Sequence, residues 1–134
     1  MKLDHLAIWA DNPETLRDYY IRYFGAKSNN VYINEKNNFH SYFLSFDSGA
    51  RIEIMHKPGI PRNLNDTVDA QHKGLIHFAF ETDTMEEVDA KASQLEADGY
   101  KILRGPRKTG DGYYEFETVD PENNRLEVMA LFVE

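Results

Sequence analysis

Leu3 to Ala10 is dominated by large apolar residues and predicts a strand. Asn12-Pro13 then supplies a helix start, Asn as N-cap and Pro at the first helical position. Leu16, Tyr20, Tyr23 and Phe24 follow at helical spacing and form one apolar face, and Gly25 is a natural C-cap. Three strands are predicted next: Val31 to Asn34, Ser41 to Phe46 and Arg51 to His56. Asp47-Ser48-Gly49-Ala50 supplies the last turn among them. Residues 57–74 are polar, contain Pro58, Gly59, Pro61, Asn63 and Asn65, and predict a long connecting loop.

The same order then returns. Leu75 to Glu81 predicts a strand, Thr84-x-x-Glu87 a capping box, and Val88, Ala92 and Leu95 a helix ending near Gly99. Tyr100 to Leu103, Tyr113 to Val119 and Arg125 to Leu131 predict the remaining strands, the last two joined at Asp120-Pro121-Glu122-Asn123-Asn124. Gly105 to Gly112 reads as a Gly-rich hairpin loop and not a P-loop, because no G-K-[ST] follows.

The recurrence extends to spelling. His5-Leu6-Ala7-Ile8 returns as His77-Phe78-Ala79-Phe80, and Arg51-Ile52-Glu53-Ile54-Met55 returns as Arg125-Leu126-Glu127-Val128-Met129. The His segments lie 72 residues apart and the Glu segments 74 (77 less 5, 127 less 53), so the halves are in near register. A unit of this size occurring twice is expected to pair with its copy in one domain rather than stack as a solenoid. The expectation is a single domain over residues 1–134: module 1 at 1–56, the connecting loop at 57–74 and module 2 at 75–134.

Side-chain alternation turns the repeat into geometry. Strand residues change face with period two. His5, Ala7 and Trp9 share one face, and Leu6 and Ile8 the other; His77 and Ala79 oppose Phe78 and Phe80 in the same way. Arg51, Glu53 and Met55 oppose Ile52 and Ile54, and Arg125, Glu127 and Met129 oppose Leu126 and Val128. If the apolar faces pack under the helices, each Glu shares the helix-free face with its His.

The length of 134 residues suits one domain, and 41% apolar content can fill a core. A formal charge of −8 opposes binding to nucleic acid or an anionic membrane but not to a cation. The absence of Cys excludes disulfides, thiolate nucleophiles and Cys-ligated metals. Met1 to His5 does not read as a signal peptide, and the longest apolar run, Val128 to Val133, is far short of a membrane span. A cytoplasmic protein with no membrane partner is expected.

With these residues placed, the chain resembles the vicinal oxygen chelate superfamily, which includes glyoxalase I, fosfomycin resistance proteins, extradiol dioxygenases, methylmalonyl-CoA epimerase and bleomycin resistance proteins. The resemblance covers essentially the whole chain. It is carried by His5 and His77, by Glu53 and Glu127, and by Val119-Asp120-Pro121-x-x-Asn124-x-Leu126-Glu127, similar to the family's frequent DP-x-G/N-x-x-x-E ending. It implies an α+β fold: two βαβββ modules paired into a curved mixed sheet with an open metal-binding cleft. It also implies His5, Glu53, His77 and Glu127 as ligands of a divalent metal, Glu127 as the general base with Glu53 as its opposite partner, and commonly a homodimer, the modules pairing within one chain or across two.

Two imidazoles and two carboxylates suit Ni, Co, Mn, Zn or Fe. Four protein ligands on a six-coordinate ion leave two positions for substrate oxygens, where the metal acts as a Lewis acid. A metal-dependent, glyoxalase-type lyase or isomerase acting on a small oxygenated substrate is the leading reading. An Fe(II) extradiol-type dioxygenase, or a non-enzymatic antibiotic-binding protein, is the alternative. One departure bears on substrate. Many glyoxalase I proteins carry Arg four residues after the first His, where it meets glutathione carboxylates; here Trp9 stands there, which argues against glutathione and for a flat or apolar group. Trp9, Arg51, Met55 and Met129 are the expected substrate-facing residues. Arg51 and Arg125 suit either an anionic substrate or surface ion pairs. His40, His56 and His72 lack a repeat partner and read as surface or loop residues.

Overall fold

Asn12 begins the first helix as the sequence predicts: its side chain accepts from the Thr15 N–H at 3.1 Å, and Pro13 occupies the first turn. Gly25 ends it in the left-handed conformation at φ 66°, donating to the Tyr20 carbonyl. In this computed structural model, which describes residues 1–64 and 67–134, helix α1 spans Pro13–Phe24 and follows strand β1, His5–Trp9. The chain then forms β2 (Lys27–Ser28), β3 (Tyr32–Asn34), a short 3₁₀ turn (Glu35–Asn37), β4 (Phe39–Ser45) and β5 (Arg51–His56). The second half forms β6 (His77–Glu81), α2 (Met85–Ala97), β7 (Ile102–Lys108), β8 (Tyr113–Val119) and β9 (Arg125–Leu131).

The chain divides into two units, Met1–Arg62 and Asn63–Glu134, with the boundary inside the predicted connecting segment. Asn65, one of that segment's turn residues, lies outside the described residues. Each unit holds one mixed sheet. The first has strand order β1-β5-β4-β2, with β3 also on β4; the second has β6-β9-β8-β7. In both, the His strand runs parallel to the Glu strand, and the Glu strand runs antiparallel to its other neighbour.

Burial follows the predicted parity. In the first unit Leu16, Tyr19, Tyr20 and Tyr23 of α1 are buried together with Leu44, Ile52 and Ile54 of the sheet. In the second, Val88, Ala92 and Leu95 of α2 are buried together with Phe116, Leu126 and Val128. Each such large side chain contributes roughly 1.5–3 kcal/mol when fully removed from water. Helix α2 opens on the predicted capping box, the Thr84 hydroxyl accepting from the Glu87 N–H while the Glu87 carboxylate accepts from the Thr84 N–H. Among the described residues no helix is long and apolar enough to cross a membrane.

Four local expectations are corrected. Phe24 was placed on the apolar helix face, but it is only half-buried and Tyr19 takes the buried place. Strand β2 is absent from the sequence reading, since two residues carry no alternation. Gly105 to Lys108 is not loop: β7 continues through it, with register shifts against β8 that absorb the Gly-Pro pair. Gly105 is required there, because a Cβ would lie 2.4 Å from the Glu115 carbonyl oxygen. His40 and His56 are not loose surface residues but a half-buried cross-strand pair on β4 and β5, with ring centroids 5.2 Å apart.

Candidate functional site

The parallel pairing of β1 with β5 sets His5 opposite Arg51 and Ala7 opposite Glu53. Glu53 therefore sits diagonally across from His5 on one face. Their side chains meet there, His5 Nε2 lying 3.7 Å from Glu53 Oε1. In the second unit His77 pairs with Arg125 and Ala79 with Glu127, the same diagonal, and His77 Nε2 lies 3.3 Å from Glu127 Oε1. Both imidazoles stay open, with side chains 38% and 36% exposed, while the carboxylates are largely covered at 17% and 12%.

The surroundings of the two pairs differ. Asp4 Oδ2 lies 2.7 Å from His5 Nδ1 and accepts from the Arg51 guanidinium at 2.7 Å. Hydrogen bonding by Arg51 first, and by His5 second, lowers the Asp4 carboxyl to about 2. An ionised carboxylate only accepts, so Nδ1 carries a proton toward Asp4 and Nε2 is the nitrogen turned toward Glu53. Metal-ligating histidines commonly have this outer carboxylate partner. The His5 ring also meets Phe43 edge-on at 5.2 Å, and the Arg51 guanidinium lies over Phe43 at 4.4 Å.

Glu127 has acidic company instead. Glu117 is its cross-strand partner on β8, and Glu115 is paired with Met129. Burial raises the Glu127 carboxyl above its ordinary range; His77 opposes this, and Glu115, Glu117 and Asp111 reinforce it. Burial and then Asp111 push Glu115 in the same direction. A carboxylate with raised proton affinity is the stronger base.

The two arginines of the repeat part company as well. Arg51 is partly exposed beside Asp4. Arg125 is only 6% exposed and donates to Glu117 at 3.0 Å and to the Thr67 and Val68 carbonyls. Glu117 also accepts from Arg104 in bidentate fashion. Arg125 is thus a buried structural ion, not a surface pair and not a group free to meet substrate.

Trp9 lies on the His5 face, exposed, opposite Met55 in register. Its ring packs edge-on against Phe39 at 6.0 Å, Phe39 meets Tyr32 at 6.2 Å, and Lys57 Nζ lies 5.9 Å from the Trp9 ring. Met55 and Met129 are half-buried on the Glu faces. Tyr114 donates to Asp89 of α2 and so faces the helix, which leaves Tyr113 on the Glu127 face. His72 lies in the connecting segment.

Asp4, Phe39, Phe43 and Glu117 escaped the sequence reading. Alternation within β4 and β8 puts Phe39, Phe43 and Glu117 on the Glu faces, but only the β4–β5 and β8–β9 registers reveal it. Asp4 precedes β1, so alternation says nothing of it. Among the described residues no three His, Asp or Glu side chains gather into a metal cluster within either unit; each offers one nitrogen and one oxygen donor.

The fold has relatives. A glyoxylase/bleomycin resistance protein/dioxygenase domain from Frankia sp. EAN1pec superposes with a TM-score of 0.80 over 98% of both chains, at 16% identity. The trypanothione-dependent glyoxalase I of Leishmania major superposes with a TM-score of 0.73 over 97% of this chain and 86% of that one, at 14% identity. At such identities the likeness concerns the fold. In sequence, the uncharacterized protein YqjT of Bacillus subtilis (strain 168) is 37% identical over 60 residues, 42% of this chain; the match spans about half of that protein, 47%. The sequence model of one family matches residues 2–128, nearly the whole chain and both His–Glu diagonals. The chain belongs to the Glyoxalase/Bleomycin resistance protein/Dioxygenase superfamily.

Proposed function

We propose that the protein is a metal-dependent lyase or isomerase of glyoxalase type, acting on a small substrate with neighbouring oxygens. The observation that carries this reading is the His–Glu diagonal, made twice at the same register, with Nε2 to Oε1 distances of 3.7 and 3.3 Å. The donor chemistry fits a divalent ion: two imidazole nitrogens and two carboxylates, one imidazole already directed by Asp4. His5, Glu53, His77 and Glu127 would hold it. When bound, the ion supplies Lewis acidity toward substrate oxygens.

The remaining work falls to side chains. Glu127 is the general base, taking a proton from the carbon beside the carbonyl; its cover and acidic neighbours support that role. Glu53 serves opposite it, and Arg51, Met55, Met129 and Trp9 contact substrate. Arg51, the exposed arginine of the pair, suits an anionic group. The reading includes a homodimer working in the cytoplasm. Reconstitution with Ni, Co, Mn, Zn and Fe, followed by elemental analysis, tests it: about one divalent ion per chain is expected, and none would refute it.

The exposed Trp9 with Phe39 and Tyr32 favours a second reading, a non-enzymatic binder of planar compounds. Such a protein would retain full affinity for its compound after metal removal.

A further inference from the structure

The first unit carries a cleft of about 400 Å³ at the β3–β4 edge of its sheet. Phe43 of β4 pairs with Glu53, while its neighbour Tyr42 turns the other way and lines the cleft. The volume falls within the range of small-molecule sites. Val31 and Ile33, both exposed apolar side chains of the β3 region, form one wall. Glu14, Glu35, Phe39, His40 and Tyr42 supply the chemistry of the rest.

The lining is acidic and aromatic and includes no Lys or Arg among the described residues. Glu14 is fixed in place, its Oε1 accepting from Tyr42 Oη at 3.2 Å and lying 3.1 Å from His40 Nε2. Partial burial works against its charge, but hydrogen bonds from its own backbone, Tyr42 and His40 hold it below the ordinary range, so it is ionised at neutral pH. Arg17 stacks on the Tyr42 ring at 4.7 Å and pairs with Asp18, which acts on it more strongly than Glu14 does. A cation entering here meets the charge of Glu14 and Glu35, while an attached apolar group meets Val31 and Ile33.

We propose that this cleft is a second ligand site, binding a small organic cation: a protonated amine carrying a short apolar group. None of its lining residues belongs to the His–Glu pairs, and it does not rest on the reaction assigned to them. Isothermal titration of the whole protein with butylammonium, butanol and butyrate tests it, since the three share a tail and differ in charge. Butylammonium should bind at least about tenfold more tightly than butanol, butyrate least, and Glu14→Gln should erase that tenfold preference. Gln retains an acceptor for Tyr42, and Glu35→Gln, altering an exposed turn residue, provides a second variant expected to weaken butylammonium alone. His5→Ala should leave the titration unchanged. Equal binding of the three, preference for butyrate, no binding at all, or indifference to both variants would overturn the proposal.

Discussion

At the scale of single residues, equivalent positions of the repeat do different work. Arg125 neutralises the buried Glu117, whereas Arg51 sits at the surface with Asp4. Arg125→Met should cost about 3–5 kcal/mol, because Glu117 is then left with only the half-exposed Arg104. Arg51→Met should cost under about 1 kcal/mol. Urea titrations of both variants measure the contrast. Asp4 gives a pH signature. Its folded-state value of about 2 is depressed, so its contribution is complete above the ordinary 3.8 and disappears as pH falls through 2. Asp4→Asn should therefore lose less stability than the parent on acidification from pH 4 to pH 2, seen as converging acid-unfolding curves. For catalysis, Glu127→Gln should lower the proton-transfer rate roughly 10²–10⁴-fold, read as wash-out of a substrate deuteron, while metal content is retained. His5, His77, Glu53 and Glu127 were legible because repetition fixes identity and alternation fixes face. The burial of Arg125 was not, since it depends on the Thr67 and Val68 carbonyls, distant in sequence and without pattern.

At the scale of elements, what was legible had a local cause. The N-cap Asn12, the capping box at Thr84 and the strands Arg51–His56, Tyr113–Val119 and Arg125–Leu131 appear where caps and alternation put them. The failures also had causes. Strand β2 is too short to alternate, and β7 passes through Gly105-Pro106, residues that ordinarily mark a loop. Gly105 and Gly25 separate two reasons for glycine. Both have positive φ, at 84° and 66°, but only Gly105 has backbone where a Cβ would go. Gly25→Ala should cost about 1–2 kcal/mol, the left-handed penalty alone. Gly105→Ala should cost clearly more and disturb the β7–β8 amide signals, as two-dimensional NMR would reveal.

At the scale of the whole molecule, the superfamily assignment and the two mixed sheets agree with what the resemblance implied. If one ion binds the four proposed ligands, it stabilises the folded chain by about 2.7 kcal/mol at a free concentration one hundred times its Kd. His5→Ala and His77→Ala should then each abolish the gain, as measured by thermal unfolding with and without metal. Two independent ions, one at each pair, would leave each variant with half of it.

The unequal arginines also set how each copy can age. A lineage can trade Arg51 for many residues and keep its fold, because water will accept the change. Position 125 has no such freedom while the Glu117 carboxyl lies buried against it; the two must be exchanged together or not at all. In a relative whose substrate makes no use of Arg51, drift should therefore erase the twofold spelling from the first copy's arginine, leaving the second as the more faithful record of the ancestral module.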